Sequence, residues 1–105
     1  MKNSAMPAED TEQAIAPAWS SAIALLEADL ARRGAADRTR RAYASDVRQF
    51  AAWATDARIT PQDAGPRELR RYAATLSERR AAPSTVARKL AALRALFRTL
   101  REHGV

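Results

Sequence analysis

Cysteine is absent from the 105 residues, which excludes both a disulfide framework and a thiolate metal site. The single histidine, His103, stands at the C-terminal end with no second histidine to share a metal or build a triad. No metal site, no cofactor and no catalytic residue is expected. Glycine occurs at Gly34, Gly65 and Gly104 alone, too sparsely for a turn-rich sheet. Valine, isoleucine and aromatics are scarce, with two residues each of Trp, Tyr and Phe. Apolar runs fall far short of the ~20 residues of a membrane span, and nothing resembles the apolar stretch of a signal peptide. The expectation is a cytoplasmic protein with no membrane partner.

Alanine, leucine and arginine make up much of what remains. Alanine and straight-chain residues lose little conformational freedom in a helix, so this composition favours helices. The charge is basic: 18 Lys+Arg against 12 Asp+Glu, net +6. Residues 1–17 carry Lys2, Glu9, Asp10 and Glu12, a net −2, so residues 18–105 carry +8. Apart from Lys89, every basic residue after position 17 is arginine, whose planar donor fork suits phosphates and guanine edges. Such a balance fits a nucleic-acid partner, and it also fits an arginine-rich solvated surface.

Residues 1–17 are polar, contain Pro7 and Pro17 and show no period. They are expected to form a disordered tail, with one helical domain over 18–105. Four amphipathic segments follow. The first runs from Ala18 to Arg33, with Trp19, Ile23, Leu26 and Leu30 at spacings of 4, 3 and 4, one face of a helix; Gly34 ends it. The second runs from Asp37 or Thr39, either of which suits an N-cap, to Ala57. Its stripe is Tyr43, Val47, Phe50 and Ala54. Thr60 and Asp63 then suit a capped turn. The third begins at Pro66, a favoured first helical position, and ends near Arg80, with Leu69, Tyr72, Ala73 and Leu76 inward. The fourth follows Pro83 with Ser84 as N-cap and stops before Gly104. Its stripe is Val86, Leu90, Leu93, Phe97 and Leu100. One apolar stripe per helix and short links predict an all-α, compact four-helix bundle. Its expected core is Trp19, Ile23, Leu26, Leu30, Tyr43, Val47, Phe50, Leu69, Leu76, Leu90, Leu93 and Phe97.

Helical projection shows what lies opposite the stripes. On the second helix these are Arg41 and Arg48 among Ala44, Ser45 and Ala52. On the fourth they are Ala87, Ala91, Arg94 and Arg98, with Ser84 and Arg88 beyond. Small residues let a helix approach closely enough to seat in a major groove ~12 Å wide, and the arginines between them reach base edges and phosphates. Thr39, Ser84 and Thr85 lie at helix N-termini, whose free N–H groups and positive dipole end suit a phosphate. Arginine and alanine are also good surface helix formers, so the pattern alone leaves an ordinary solvated face open.

Thr39-Arg40-Arg41-Ala42-Tyr43-Ala44-Ser45-Asp46-Val47 resembles the T-x-x-x-Y-x-x-D-apolar motif of tyrosine recombinase core-binding domains. The run from Pro83 through Ser84, Thr85, Arg88, Leu90, Leu93 and Arg94 to Phe97 resembles the S-T-x-x-R-x-L-(S/A)-x-L-R pattern of their fourth helix. Residues 59–76 between them resemble the family's intervening segment. The resemblance covers residues 18–105, in the style of Xer-type recombinases and phage or integron integrases. It implies a SAM-like domain lying on one face of a DNA half-site, with the second and fourth helices in the major groove of double-stranded DNA. Carried over by position, the contacts are Thr39, Arg41, Ser45, Arg48, Ser84, Thr85, Ala87, Arg88, Ala91 and Arg94, with Arg98 added by helix face. Arg88 and Arg94 match motif positions; Arg41, Ser45 and Arg48 match by face. Arg88 or Arg94 is expected to read a base, and Arg41 and Arg48 to hold phosphates. Tyr43 and Asp46 match too and are expected to be structural.

The family's chemistry needs an arginine, a lysine, a histidine–arginine pair and a nucleophilic tyrosine in a C-terminal domain. Here Tyr43 and Tyr72 both fall on apolar stripes, so this chain is expected to be a fragment or truncated product of a recombinase, unable to cut DNA. The full-length parent is expected to meet other recombinase protomers on DNA, and the isolated domain to be a monomer. A helical DNA-binding regulator and a protein-interaction bundle are the alternatives. The long TPQDAG link argues against the helix-turn-helix type, and salt-insensitive DNA binding would favour the interaction bundle.

Overall fold

The computed structural model of the chain describes residues 15–105. Four helices follow in order: α1 (Pro17–Arg32), α2 (Asp37–Asp56), α3 (Pro66–Glu78) and α4 (Pro83–Glu102). Among the described residues there is no strand. The all-α bundle expected from the stripes is therefore the fold. Of the expected tail, residues 1–14 lie outside the described part; Ile15 and Ala16 pack against the core, and α1 opens at Pro17.

Proline occupies the first helical position of α1, α3 and α4, where its missing N–H is no loss and its fixed φ suits the helix. The helix starts differ from the expected caps. Residues Ala16, Ala36, Gly65 and Ala82 occupy the cap positions, and none makes a side-chain cap bond. Asp37 and Thr39 are the first and third residues of α2, and Ser84 is the second of α4, so these polar side chains lie inside the helices they were expected to cap. The turn at Thr60 and Asp63 does form: the Asp63 N–H donates to Thr60 Oγ1 at 3.3 Å, and Thr60 Oγ1 donates to Asp63 Oδ2 at 3.0 Å.

All four helices end the same way. A residue in the left-handed region follows the cap: Gly34, Arg58, Arg80 and Gly104, with φ of 74°, 62°, 63° and 74°. The next amide reaches back across the last turn: Ala35 to the Leu30 carbonyl, Ile59 to Ala54, Ala81 to Leu76 and Val105 to Leu100. This double closure satisfies carbonyls that the helix leaves unpaired and brings an apolar residue back onto the helix.

Phe50 is fully buried at the centre. Its ring meets Trp19, Tyr72 and Phe97 edge-on at centroid distances of 5.4, 5.1 and 5.9 Å, and Trp53 at 5.7 Å. Helix α4 packs on all three of the others, and α1 packs on α2. Of the expected core, Trp19, Ile23, Leu26, Leu30, Val47, Phe50, Leu76 and Leu93 are buried. Tyr43, Leu69, Leu90 and Phe97 are only partly buried and pack on its margin. The interior instead takes in Ala22, Ala51, Ile59, Ala92 and Leu96. In α4 the buried residues are Lys89, Ala92, Leu93, Leu96, Thr99 and Leu100, a face turned roughly 80° from the stripe that begins at Val86.

Candidate nucleic-acid interface

That rotation decides where the arginines of α4 point. Arg94 and Arg98 stand on its exposed side with Ala87, while Arg88 moves to the edge where α4 meets α2. Across this seam lies Asp46 of α2, 1 % exposed. Arg88 grips it through both donors of one edge: Nε donates to Oδ2 at 3.0 Å and Nη2 donates to Oδ1 at 2.9 Å. Lys89 Nζ donates to the same Oδ1 at 3.1 Å and to Gln49 Oε1 at 2.7 Å. Gln49 Nε2 in turn donates to Ser45 Oγ at 3.4 Å. A continuous polar chain therefore runs from Ser45 on α2 to Arg88 on α4.

A carboxylate this deep is stable only when paired and hydrogen-bonded, and here two cations share it. The cluster is left with one net positive charge at the seam. The bidentate bond and the charge of Asp46 both raise the Arg88 guanidinium above its ordinary value, against a smaller opposing effect of burial. Arg88 nevertheless keeps 53 % of its side chain exposed. Asp46 thus has the structural role expected for it. Lys89 and Gln49 escaped the sequence reading. A lysine inside an arginine-rich helix looks like surface, and only its burial against Asp46 shows otherwise.

The remaining candidates divide by environment. On α2, Arg41, Ser45 and Arg48 are exposed; Arg48 lies 3.5 Å from Glu27 of α1, a long surface pair of small value. For Arg41, Arg94 and Arg98 no carboxylate lies within ion-pair distance among the described residues. Thr39 and Ser84 are exposed and Thr85 half-buried, in the first turns of α2 and α4. Ala87 is exposed and Ala91 half-buried. Arg94 and Arg98 also rim a cleft of about 650 Å³ floored by Pro61, Leu69, Phe97 and Leu100. The structure therefore brings Ser45 and Arg88 into one network and sets Arg94 and Arg98 on a separate part of α4.

A second polar cluster ties α1 to α4. Asp29 is buried; Arg32 and Arg33 both pair with it, and Thr99 Oγ1 donates to its Oδ2 at 3.2 Å. Burial pushes this carboxyl up, but the hydrogen bonds from Arg32 and Thr99 and the charge of Arg33 outweigh it, and the net direction is down. No group of three or more histidine, cysteine or acidic side chains among the described residues is placed to hold a metal, and no described helix is long and apolar enough to cross a membrane.

Residues 23–104 match the family model of the phage integrase N-terminal SAM-like domain. The chain belongs to this family, found in phage integrases and tyrosine recombinases. The match runs from the second turn of α1 to the glycine that closes α4 and includes both sides of the Asp46–Arg88 seam. No curated protein and no solved structure matches the chain significantly.

Proposed function

We propose that this chain is the DNA-binding module of a site-specific tyrosine recombinase or integrase. It grips one face of a recombination half-site, with α2 and α4 directed to the major groove of double-stranded DNA. The observation that carries this reading is the arginine surface of those two helices. Arg41 and Arg48 on α2 and Arg94 and Arg98 on α4 are exposed, and Arg88 is held where the two helices meet. Around them stand Ser45, Ser84, Ala87 and Ala91, which keep the helix surfaces low enough to approach base edges. Integrase family membership supports the same partner. Thr39 and Thr85 add hydroxyls in first turns whose N–H groups have no side-chain cap, an arrangement suited to a phosphate. In this reading strand cleavage belongs to a catalytic domain outside this chain, and the recombinase meets its other protomers on DNA.

Binding by this module, which holds one face of the duplex, is weak, in the range of ~10⁻⁴–10⁻⁶ M for a non-specific duplex. The test is a titration of the 105-residue chain with fluorescent duplexes at two salt concentrations, combined with amide-shift mapping. Shifts on α2 and α4 with steep salt dependence are expected. Shifts confined to α1 and α3, or salt-independent binding, overturn the reading in favour of a protein-interaction bundle, whose docking site would be the apolar cleft between Leu69 and Phe97.

A further inference from the structure

Of the arginines on α2 and α4, Arg88 alone is held by two hydrogen bonds to a buried carboxylate. We infer that Arg88 is the base-reading residue of this domain and that Asp46, buried beneath it, is the positioning residue that aims its donor fork. The inference rests on the DNA-binding reading and sharpens it to one pair of side chains.

Three observations lead there. The first is the geometry of the guanidinium. A guanidinium has five N–H donors, and Asp46 takes two of them along the Nε–Nη2 edge. The opposite edge, formed by Nη1 and the second hydrogen of Nη2, remains as a fork. That is the donor pair that matches guanine O6 and N7 in the major groove. An arginine clamped on one edge loses little further freedom when the other edge binds.

The second observation is access. The neighbours of Arg88 one turn away along α4 are Ser84, Thr85, Ala91 and Ala92, so no long side chain of α4 flanks its fork. Arg94 has Leu90, Ala91, Phe97 and Arg98 at the same spacings, three of them large, and rims the apolar cleft beside Leu69. Its environment suits a flexible phosphate contact better than directional base recognition.

The third observation is charge. A carboxylate at a DNA-facing seam repels phosphates unless it is compensated. Lys89, itself buried, shares Asp46 with Arg88 through a 3.1 Å bond. The seam keeps a net positive charge while Asp46 holds the guanidinium still. Two cations on one buried acid exceed what a helix–helix tether needs; Lys89 alone neutralises it.

The test uses the 105-residue chain and a pool of duplexes with a randomised central segment. The preferred sequence is selected, and affinities for that duplex and for a scrambled one are compared across salt. The variants are R88K, which keeps the charge beside Asp46 but not the fork, D46N, and R94A as the contrast. For R88K and D46N, preference for one guanine position is expected to fall roughly tenfold to a hundredfold. Affinity for the scrambled duplex is expected to stay within about twofold of the parent. R94A is expected to weaken both duplexes alike and to lower the salt slope. Circular dichroism and melting temperature report whether each variant is folded; if D46N unfolds, R88K decides alone. If R88K keeps the guanine preference, or loses affinity equally on both duplexes, Arg88 is not the base reader and the pair is a tether between helices. If the parent chain binds no duplex at all, the DNA-binding reading itself falls. If it binds and selects a sequence that R88K selects equally well, only the present inference falls.

Discussion

The indole Nε1 of Trp19 donates a 2.8 Å hydrogen bond to the carbonyl oxygen of Ile59, joining the first turn of α1 to the residue that closes α2. Both groups are buried, so this bond ties the start of α1 to the start of the link to α3, at the same end of the bundle. Trp19→Phe removes the donor and leaves the carbonyl unsatisfied. A loss of about 1–3 kcal/mol is expected from urea unfolding, together with some loss of packing volume. An unchanged midpoint would show that water replaces the indole.

Arg58 and Arg80 hold left-handed backbone where α1 and α4 use glycine. A side chain in this conformation costs energy that glycine avoids. Arg58→Gly and Arg80→Gly are each expected to raise stability by about 0.5–1 kcal/mol, after the extra unfolded-state freedom of glycine is counted. Gly34→Ala is expected to lower it by a similar amount. Thermal melts of the three variants check the sign.

Phe50 and Phe97 touch with centroids 5.9 Å apart but differ in burial. Phe50→Ala opens a void among four aromatic rings and is expected to cost ~3–5 kcal/mol, a large part of a small domain's stability. Phe97→Ala, on the floor of the cleft and only partly buried, is expected to cost clearly less. Equal losses in denaturant titrations would place Phe97 in the core.

Two buried groups set opposite pH limits. The Asp29 carboxyl lies below its ordinary value of 3.8 in the folded chain. Its contribution is therefore present above that value and lost as pH falls through the folded one. Tyr72 lies the other way: burial and the charge of Asp46 push it up from 10.0 to about 12. Stability is full below pH 10 and falls as pH rises toward about 12, where only the unfolded chain ionises readily. Asp29→Asn is expected to flatten the acid side of a melting-temperature profile, and Tyr72→Phe the alkaline side. Tyrosinate absorbance of the parent, compared with that of Tyr72→Phe, checks that Tyr72 titrates above 10.0.

Arg41 and Arg48 provide the phosphate test of the proposed interface. Replacing either by alanine is expected to lower the slope of log K against log salt by ~0.9 per lost contact. Arg79→Ala with Arg80→Ala, at the end of α3, is the control and is expected to leave the slope unchanged. Equal effects at both places would mean that charge, not an oriented surface, governs binding.

Four helices were legible in the sequence because apolar periodicity, the helix-opening Pro66 and the two terminal glycines all act locally. The family resemblance was legible through the same local runs, Thr39 to Val47 and Pro83 to Phe97, and the family match confirms it. Two helix ends at Arg58 and Arg80 carried no glycine signal. The third helix opens at Pro66 as expected, whereas α2 and α4 start ahead of the expected caps, with Ala36 and Ala82 in the cap positions.

The sequence by itself determined the helical class, the four segments, the aromatic centre at Trp19 and Phe50, and the arginine-rich character of α2 and α4. Only the tertiary structure decided which way α4 turns. Hydrophobic periodicity counts side chains one at a time, so Lys89 and Thr99 register as surface and Ala92 as neutral. Their burial becomes favourable only when Asp46 and Asp29, 43 and 70 residues away, arrive to pair with them. That pairing turns α4, brings Arg88 onto Asp46 and leaves Arg94 beside a cleft. No local pattern encodes a charge pair whose two halves lie on different helices.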